Sequence, residues 1–336
     1  MSIEAADFAG LLREEVQTSM FESYDSQQSK IPALFDVIPF SQAPKKSYWV
    51  DARAVKDSKG QERRPGEDVK KLSAREARRI PYAWKQHAGL IEIPDELTRW
   101  ITEASGSLVS DRAADSILEF VRPEARWFGE ERARREEELA AEFFNNGGLT
   151  AGHAAFDQTI EVFEDAQGKL CYDGTEAFNL TGNARAAVDG TTYFNAVALS
   201  LTATNLSTVM QRMESSNCFD EMGRTIHLRA GQLIVPPALK QTAIQIVSAQ
   251  ALAGTGNNDA NPYADLDVVV WNHLTDTDAW FVQDPTRKAF RWYEGGPPMV
   301  KVEEKAEFVS KIAVQSFHAA NLQDWRGIVA SNVSAS

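Results

Sequence analysis

Histidine and cysteine, the residues that most often announce chemistry, are scarce here: five histidines and two cysteines in 336 residues. His87, His153, His227, His273 and His318 are scattered, with neither an HExxH pair nor any other metal-ligand spacing. Cys171 and Cys218 stand in unlike surroundings without a CxxC, which excludes a zinc knuckle or a redox pair and leaves them as reduced, small apolar residues. No run approaches the roughly 20 apolar residues of a membrane-spanning helix. The opening Met1-Ser2-Ile3-Glu4-Ala5 has no basic segment ahead of an apolar one, so neither a span nor a signal peptide is predicted. Positive charge is also short. Lys and Arg number 35 against 48 Asp and Glu, a formal charge of −13, which argues against grip on nucleic acid through its phosphates.

Signatures of catalysis are missing as well. Gly254-Thr255-Gly256 leads into a polar loop and not a helix, so it meets neither the dinucleotide nor the P-loop pattern, and no GxSxG occurs. Asp276 with Asp278, and Asp265 with Asp267, are alternate acids beside turns, a pattern more often solvated than metal-binding. No catalytic, cofactor or metal residue is assigned, and the chain is read as a non-enzyme.

What is present is organised in blocks. Over residues 5–24, Phe8, Leu11, Leu12, Val16, Met20 and Phe21 recur at helical spacing. This predicts an amphipathic N-terminal helix, packed either on its own domain or across a neighbouring subunit, with Phe8, Leu12, Val16 and Phe21 as the contact set. From residue 45 a strand around Tyr48-Trp49-Val50 runs into a charged stretch poor in apolar residues, carrying Lys56, Asp57, Lys59, Arg63, Arg64, Glu67 and Asp68. A second strand is predicted over 80–93. The two make a long hairpin whose tip has nothing to bury, and an isolated ribbon is marginal in water, so it rests on something else, such as another chain, or stays a surface hairpin.

Residues 95–144 are the most helical part, with a kink or new start predicted at Pro123 and a solvated run of mixed charge over 126–142. Asn145-Asn146-Gly147-Gly148 ends it. A helix is predicted over 192–213. Gln232-Leu233-Ile234-Val235-Pro236-Pro237 then reads as a buried strand turning sharply into a helix. Strands over 266–271, 279–283, 289–294 and 299–303, and further apolar runs over 308–319 and 325–330, predict an antiparallel sheet.

Three segments carry a family resemblance: LIVPPALKQTA at 233–243, AWFVQDPTRKAFRWYEGGPP at 279–298 and DWRGIVASN at 324–332. With the order of blocks, they resemble the major capsid proteins of tailed bacteriophages, and most closely the major head subunits of Mu-like phages and prophages. The resemblance implies an α+β fold, the tailed-phage major capsid fold shared with encapsulins. It implies an N-terminal arm and lead-in (1–44), an extended hairpin loop lying on the adjacent subunit (45–93) and a peripheral domain with a long spine helix (94–179). An axial domain round the five-fold and six-fold axes (180–262) and return strands of the peripheral domain (263–336) complete it. The implied function is a homo-oligomer of pentamers and hexamers that closes as an icosahedral shell and encloses double-stranded DNA without binding it specifically. The implied partners are a scaffolding protein, a portal and a decoration protein, with assembly in the bacterial host cytoplasm and a place in the virion capsid. Only a short helix precedes the hairpin, which suggests a scaffold encoded separately. An encapsulin-like compartment, and a soluble enzyme with an unfamiliar site, stay open as alternatives at this point.

Overall fold

The computed structural model describes residues 5–42, 48–54, 74–81, 84–94, 111–145, 177–179, 185–186, 192–219, 225–249, 261–296, 299–305 and 309–332. Helix α1 (Ala5–Ser26) leads through a short α2 (Ile31–Leu34) to β1 (Asp36–Ile38). Strands β2 (Tyr48–Ala54), β3 (Ala74–Pro81) and β4 (Lys85–Pro94) precede the long helix α3 (Asp111–Asn145). The short strands β5 (Arg185–Ala186), β6 (Thr192–Tyr193) and β7 (Ala196–Val197) come before α4 (Ala203–Gln211). Then follow β8 (Gln232–Val235), α5 (Lys240–Ser248), β9 (Asp267–Val270), β10 (Trp280–Gln283), β11 (Phe290–Glu294), β12 (Met299–Lys305), β13 (Val309–Leu322) and β14 (Ile328–Ser331).

Two five-stranded sheets organise these elements. The inner sheet has the order β7-β14-β10-β8-β9. Every residue of β8, β10 and β14 is buried, because both faces are covered. Ile234, Phe281, Ile328 and Ala330 face one core with Phe143 and Phe144 of α3, while Leu233, Val235, Trp280, Val282 and Val329 face a second core with Leu206, Val209 and Ala243 of α4 and α5. Burial on both faces is why these strands read as unbroken apolar runs and not as alternation. At the first core's centre, Phe144 meets Trp271 and Phe281 edge-on at 5.2 Å each and Phe290 at 5.0 Å, an arrangement suited to ring quadrupoles.

The outer sheet runs β1-β11-β13-β12, with β4 on the other side of β13. The fourteen residues of β13 pair with β4 along one side, and with β12 and then β11 along the other. Between β11 and β12 the chain bulges at Gly295 and Gly296. A Cβ on Gly295 would stand 1.9 Å from the Phe317 carbonyl oxygen, and Gly296 has φ +84°, so neither position accepts a side chain without strain.

Several expectations change. The strand predicted over 80–93 is split: β3 stays with β2, while β4 joins the outer sheet after Trp84, whose ring lies 6.5 Å from that of Tyr293. The helix predicted over 192–213 begins only at Ala203. Asn195 is buried and donates to the carbonyls of Ala177, Trp325 and Ile328, while β7 pairs with β14, so this stretch is spent on tertiary contacts before Thr202 caps α4. A single helix runs through Pro123, so of the predicted kink or new start the new start does not occur; one missing N–H is tolerated in a helix that α1 holds on either side of it, at Arg122 and Arg126. The strands predicted as one antiparallel sheet divide between two sheets: those that pair with one another do so antiparallel (β10–β14, β11–β13, β12–β13), while β1, β7 and β8 join from earlier in the chain in parallel with β11, β14 and β9. Both sheets draw strands from distant parts of the chain: β1 and β4 join β11–β13, and β7 and β8 join β9, β10 and β14.

Candidate assembly surfaces

The hairpin predicted from its charge begins as a ribbon. β2 and β3 pair with each other, with a bulge between Asp51 and Ala52, and among the described residues with no other strand. The tip residues singled out in the sequence, Lys56, Asp57, Lys59, Arg63, Arg64, Glu67 and Asp68, lie outside the described residues.

The N-terminal helix lies along α3 of its own chain. Val16 and Met20 are buried, Ser23 Oγ donates to the Arg126 carbonyl at 2.8 Å, and Glu15 pairs with Arg122 at 2.5 Å. Gly129 makes the close approach possible, since a Cβ there would stand 2.4 Å from the Met20 carbonyl oxygen. Of the four arm residues named from the sequence, Val16 thus faces its own subunit and Phe21 is half-buried beside a groove. The side chains of Phe8 and Leu12 lie outside the described residues.

That groove, about 1130 Å³, runs between the α1–α2 connection, α3 and the β11 end of the outer sheet. Phe40, 61% exposed, and Trp127, 53% exposed, stand on its rim. Tyr24 donates to Glu136 at 2.6 Å beneath the Arg132 guanidinium, which lies 4.7 Å from the ring centre. Burial, reinforced by the Glu136 carboxylate, pushes the Tyr24 hydroxyl far above the ordinary phenol range.

The charge run on α3 proves two-sided. Its outer side is the predicted solvated face: Arg134 bonds Glu131 and Glu138, and its hydrogen bond holds Glu131 below the usual carboxylate range. Its inner side contains Glu137, which is buried. One Glu137 oxygen accepts from Ser29 Oγ and the Lys30 N–H at 2.6 Å each and from the Ile31 N–H at 3.4 Å; the other accepts from Trp271 Nε1 at 2.7 Å. A single carboxylate therefore ties α3 to the start of α2 and to the end of β9. Its spacing from Ala133 (four residues back), Ala140 (three on) and Phe144 (seven on, two turns) was the signal that it shares their inward face.

The three resemblance segments sit in the core and in turns. In 233–243, β8 passes through Pro236 into a 3-10 turn (Pro237–Leu239) that opens α5. In 279–298, Asp284 takes N–H bonds from Arg229 at 3.0 Å and Thr286 at 2.8 Å, while Lys288 donates to the carbonyls of Pro32 and Phe35, closing the end of α2. In 324–332, Asp324 caps a turn through buried Trp325, and Gly327 admits the Arg287 carbonyl, 1.8 Å from where a Cβ would be. Asn332, at φ 54°, donates to Asp278 at 2.9 Å. Asp276 accepts from the Asp278 and Ala279 N–H groups, and its proximity raises the Asp278 pKa. Cys218 is a buried free thiol of the second core; Cys171 lies outside the described residues. Among the described residues no group of three or more His, Cys, Asp or Glu is placed to hold a metal ion.

Comparison with known proteins follows the same lines. A family model described as phage capsid protein matches residues 109–331, about two thirds of the chain. The capsid of Ralstonia phage GP4 shares the fold at a TM-score of 0.50 and 9% identity, over 91% of this chain and 90% of that one. The virus-like particle from Pyrococcus furiosus is similar at 0.48 and 12% identity, covering 95% and 98%. The mature capsid of bacteriophage PhiM1 is similar at 0.47 and 11% identity, covering 91% and 87%. No curated protein matches the sequence. A long helix laid against a mixed sheet, a ribbon that pairs only with itself among the described residues, and a match over two thirds of the length lead to one conclusion: the chain belongs to the phage capsid protein family and is a structural subunit of the capsid shell.

Proposed function

We propose that this shell subunit is the major head protein of a Mu-like tailed phage or prophage. It assembles in the host cytoplasm, with a scaffold and a portal, into pentamers and hexamers that close around DNA without binding it specifically, and it performs no catalytic step. A decoration protein on the outer surface belongs to the same reading. Each subunit reaches its neighbour through the ribbon and the charged tip that follows Trp49.

The observation that supports this reading is the ribbon's isolation. Among the described residues β2 and β3 pair with no further strand, and such a two-stranded ribbon is marginal in water until another surface completes it. The ribbon and tip, residues 48–81, carry more Lys and Arg than Asp and Glu, although the whole chain is at −13. A basic extension on an acidic subunit fits its own neighbour, which adds register and encounter rate to the contact. Closed symmetry then repeats each modest contact many times.

Deleting residues 56–68 tests this. The expected result is a folded subunit by circular dichroism and gel filtration that forms no shells in electron micrographs; normal shells would remove the ribbon from assembly. Coexpression with the neighbouring genes should give shells enclosing DNA. Shells filled with an enzyme, or small discrete oligomers, would overturn the phage-head reading.

A further inference from the structure

We infer that the outer edge of β4 is a strand-pairing interface, filled by β4 of a second copy so that two outer sheets join across a two-fold axis. The inference rests on the capsid reading and adds to it a contact that does not involve the ribbon.

All ten residues of β4 pair with β13 on one side, and among the described residues no strand pairs with the other. An edge of that length offers about five unmet backbone groups of each kind, a template for another strand. Soluble proteins blunt such edges with charge, proline or brevity, and the other edges of this chain follow the rule. β12 carries Lys301, Glu303, Glu304 and Lys305; β1 and β9 have three and four residues with Asp36 and Asp267; β3 carries Arg75, Glu76, Arg78 and Arg79. β4 departs from it. Its guards stand toward its ends, Lys85 at the start and Glu92 and Pro94 at the finish, and the centre, Gln86-His87-Ala88-Gly89-Leu90-Ile91, has no formal charge.

Exposure agrees. Gln86, Ala88 and Leu90, alternate residues of one face, are exposed, Leu90 by 49%. The opposite face is committed, since Gly89 lies under the Phe128 ring of α3, with no room for a Cβ. A long edge with an uncharged centre is a hazard in a monomer and a connector in a subunit built to repeat.

The sequence suits self-pairing. Across a two-fold axis normal to the sheet, opposed residues must share a face, so their numbers differ by an even count. With Gly89 opposite its own copy, Ala88 meets Leu90, Gln86 meets Glu92 and Lys85 meets Ile93. No like charges are opposed, and the two glycines leave the axis free of crowding.

Two variants of the full chain test the inference. Leu90→Lys puts a charge at an exposed position and should leave the thermal melting curve of the subunit unchanged while lowering shell yield at least tenfold. A chain with A88C and L90C, assembled and then oxidised, should run as a covalent dimer on a non-reducing gel, where the parent does not. Parent-level shell yield from L90K overturns the inference even if the 56–68 deletion abolishes shells. Loss of shells from L90K without dimers from the cysteine chain also overturns it, by showing that the edge meets a strand other than its own copy. Failure of the parent to form shells would count against the capsid reading, not against this contact.

Discussion

The inner and outer sheets each have five strands, yet they stand in opposite relations to the rest of the molecule. The inner sheet is finished within one subunit: β8, β10 and β14 are buried on both faces, and its edges are the two-residue β7 and the four-residue β9. The outer sheet is covered by α1 and α3 near β4 and β12 but keeps a ten-residue edge and the exposed Leu90. One sheet holds the subunit together, and the other is where a subunit can be extended. Substitutions in the two should therefore separate stability from assembly.

The largest effect is expected at Phe144, which bridges α3 to both sheets through Trp271, Phe281 and Phe290. Phe144→Ala should lose about 3–5 kcal/mol in chemical denaturation, enough to deplete folded subunits before assembly can be measured. Next comes Glu137→Ala, which strands the Ser29, Lys30 and Trp271 donors. A loss of about 3 kcal/mol is expected, with Glu137→Gln milder because its oxygen still serves one side of the clasp. Gly295→Ala forces a Cβ onto the Phe317 carbonyl and should cost about 1–3 kcal/mol. Its signature is local: faster amide exchange in β12, with β10 and β14 still protected. If exchange in β10 rises equally, the two sheets are one cooperative unit and the comparison fails.

The smallest effect concerns alkali. Burial raises the Tyr24 pKa in the folded state, so the folded protein holds that proton more tightly than the unfolded chain does. The sign follows: this contribution is fully present below the unfolded phenol pKa of about 10 and is lost as pH rises beyond it. A melting temperature that falls above about pH 10 in the parent, and falls less in Tyr24→Phe, is the expected result.

Much of this could be read in the sequence because burial on both faces leaves a local mark. The runs at Leu233, Trp280 and Ile328 are continuous apolar strands, and the long helix shows in its charge and spacing as far as Asn145. What could not be read is partnership at a distance. Nothing local tells Asp36 that it will pair in parallel beside Arg291, or tells Lys85 that it will pair with His318 and not continue beside β2. Glu137 was lost among the charges around it, since type and density describe a surface while only register with Ala133 and Phe144 reveals the inward face. Phe40, Trp127 and Leu90 carry no mark either, because an exposed apolar residue has the same letter as a buried one.

The pairing of β4 with β13 joins residues more than two hundred positions apart. On the ribosome, therefore, β4 emerges and waits with both of its edges bare until the last part of the chain has been made. Contacts of such long range slow folding, and the waiting strand is the same one whose centre carries no charge. A nascent subunit is thus at its stickiest shortly before completion, when neighbouring copies on a polysome are near, and chaperone demand during head production should concentrate on that interval.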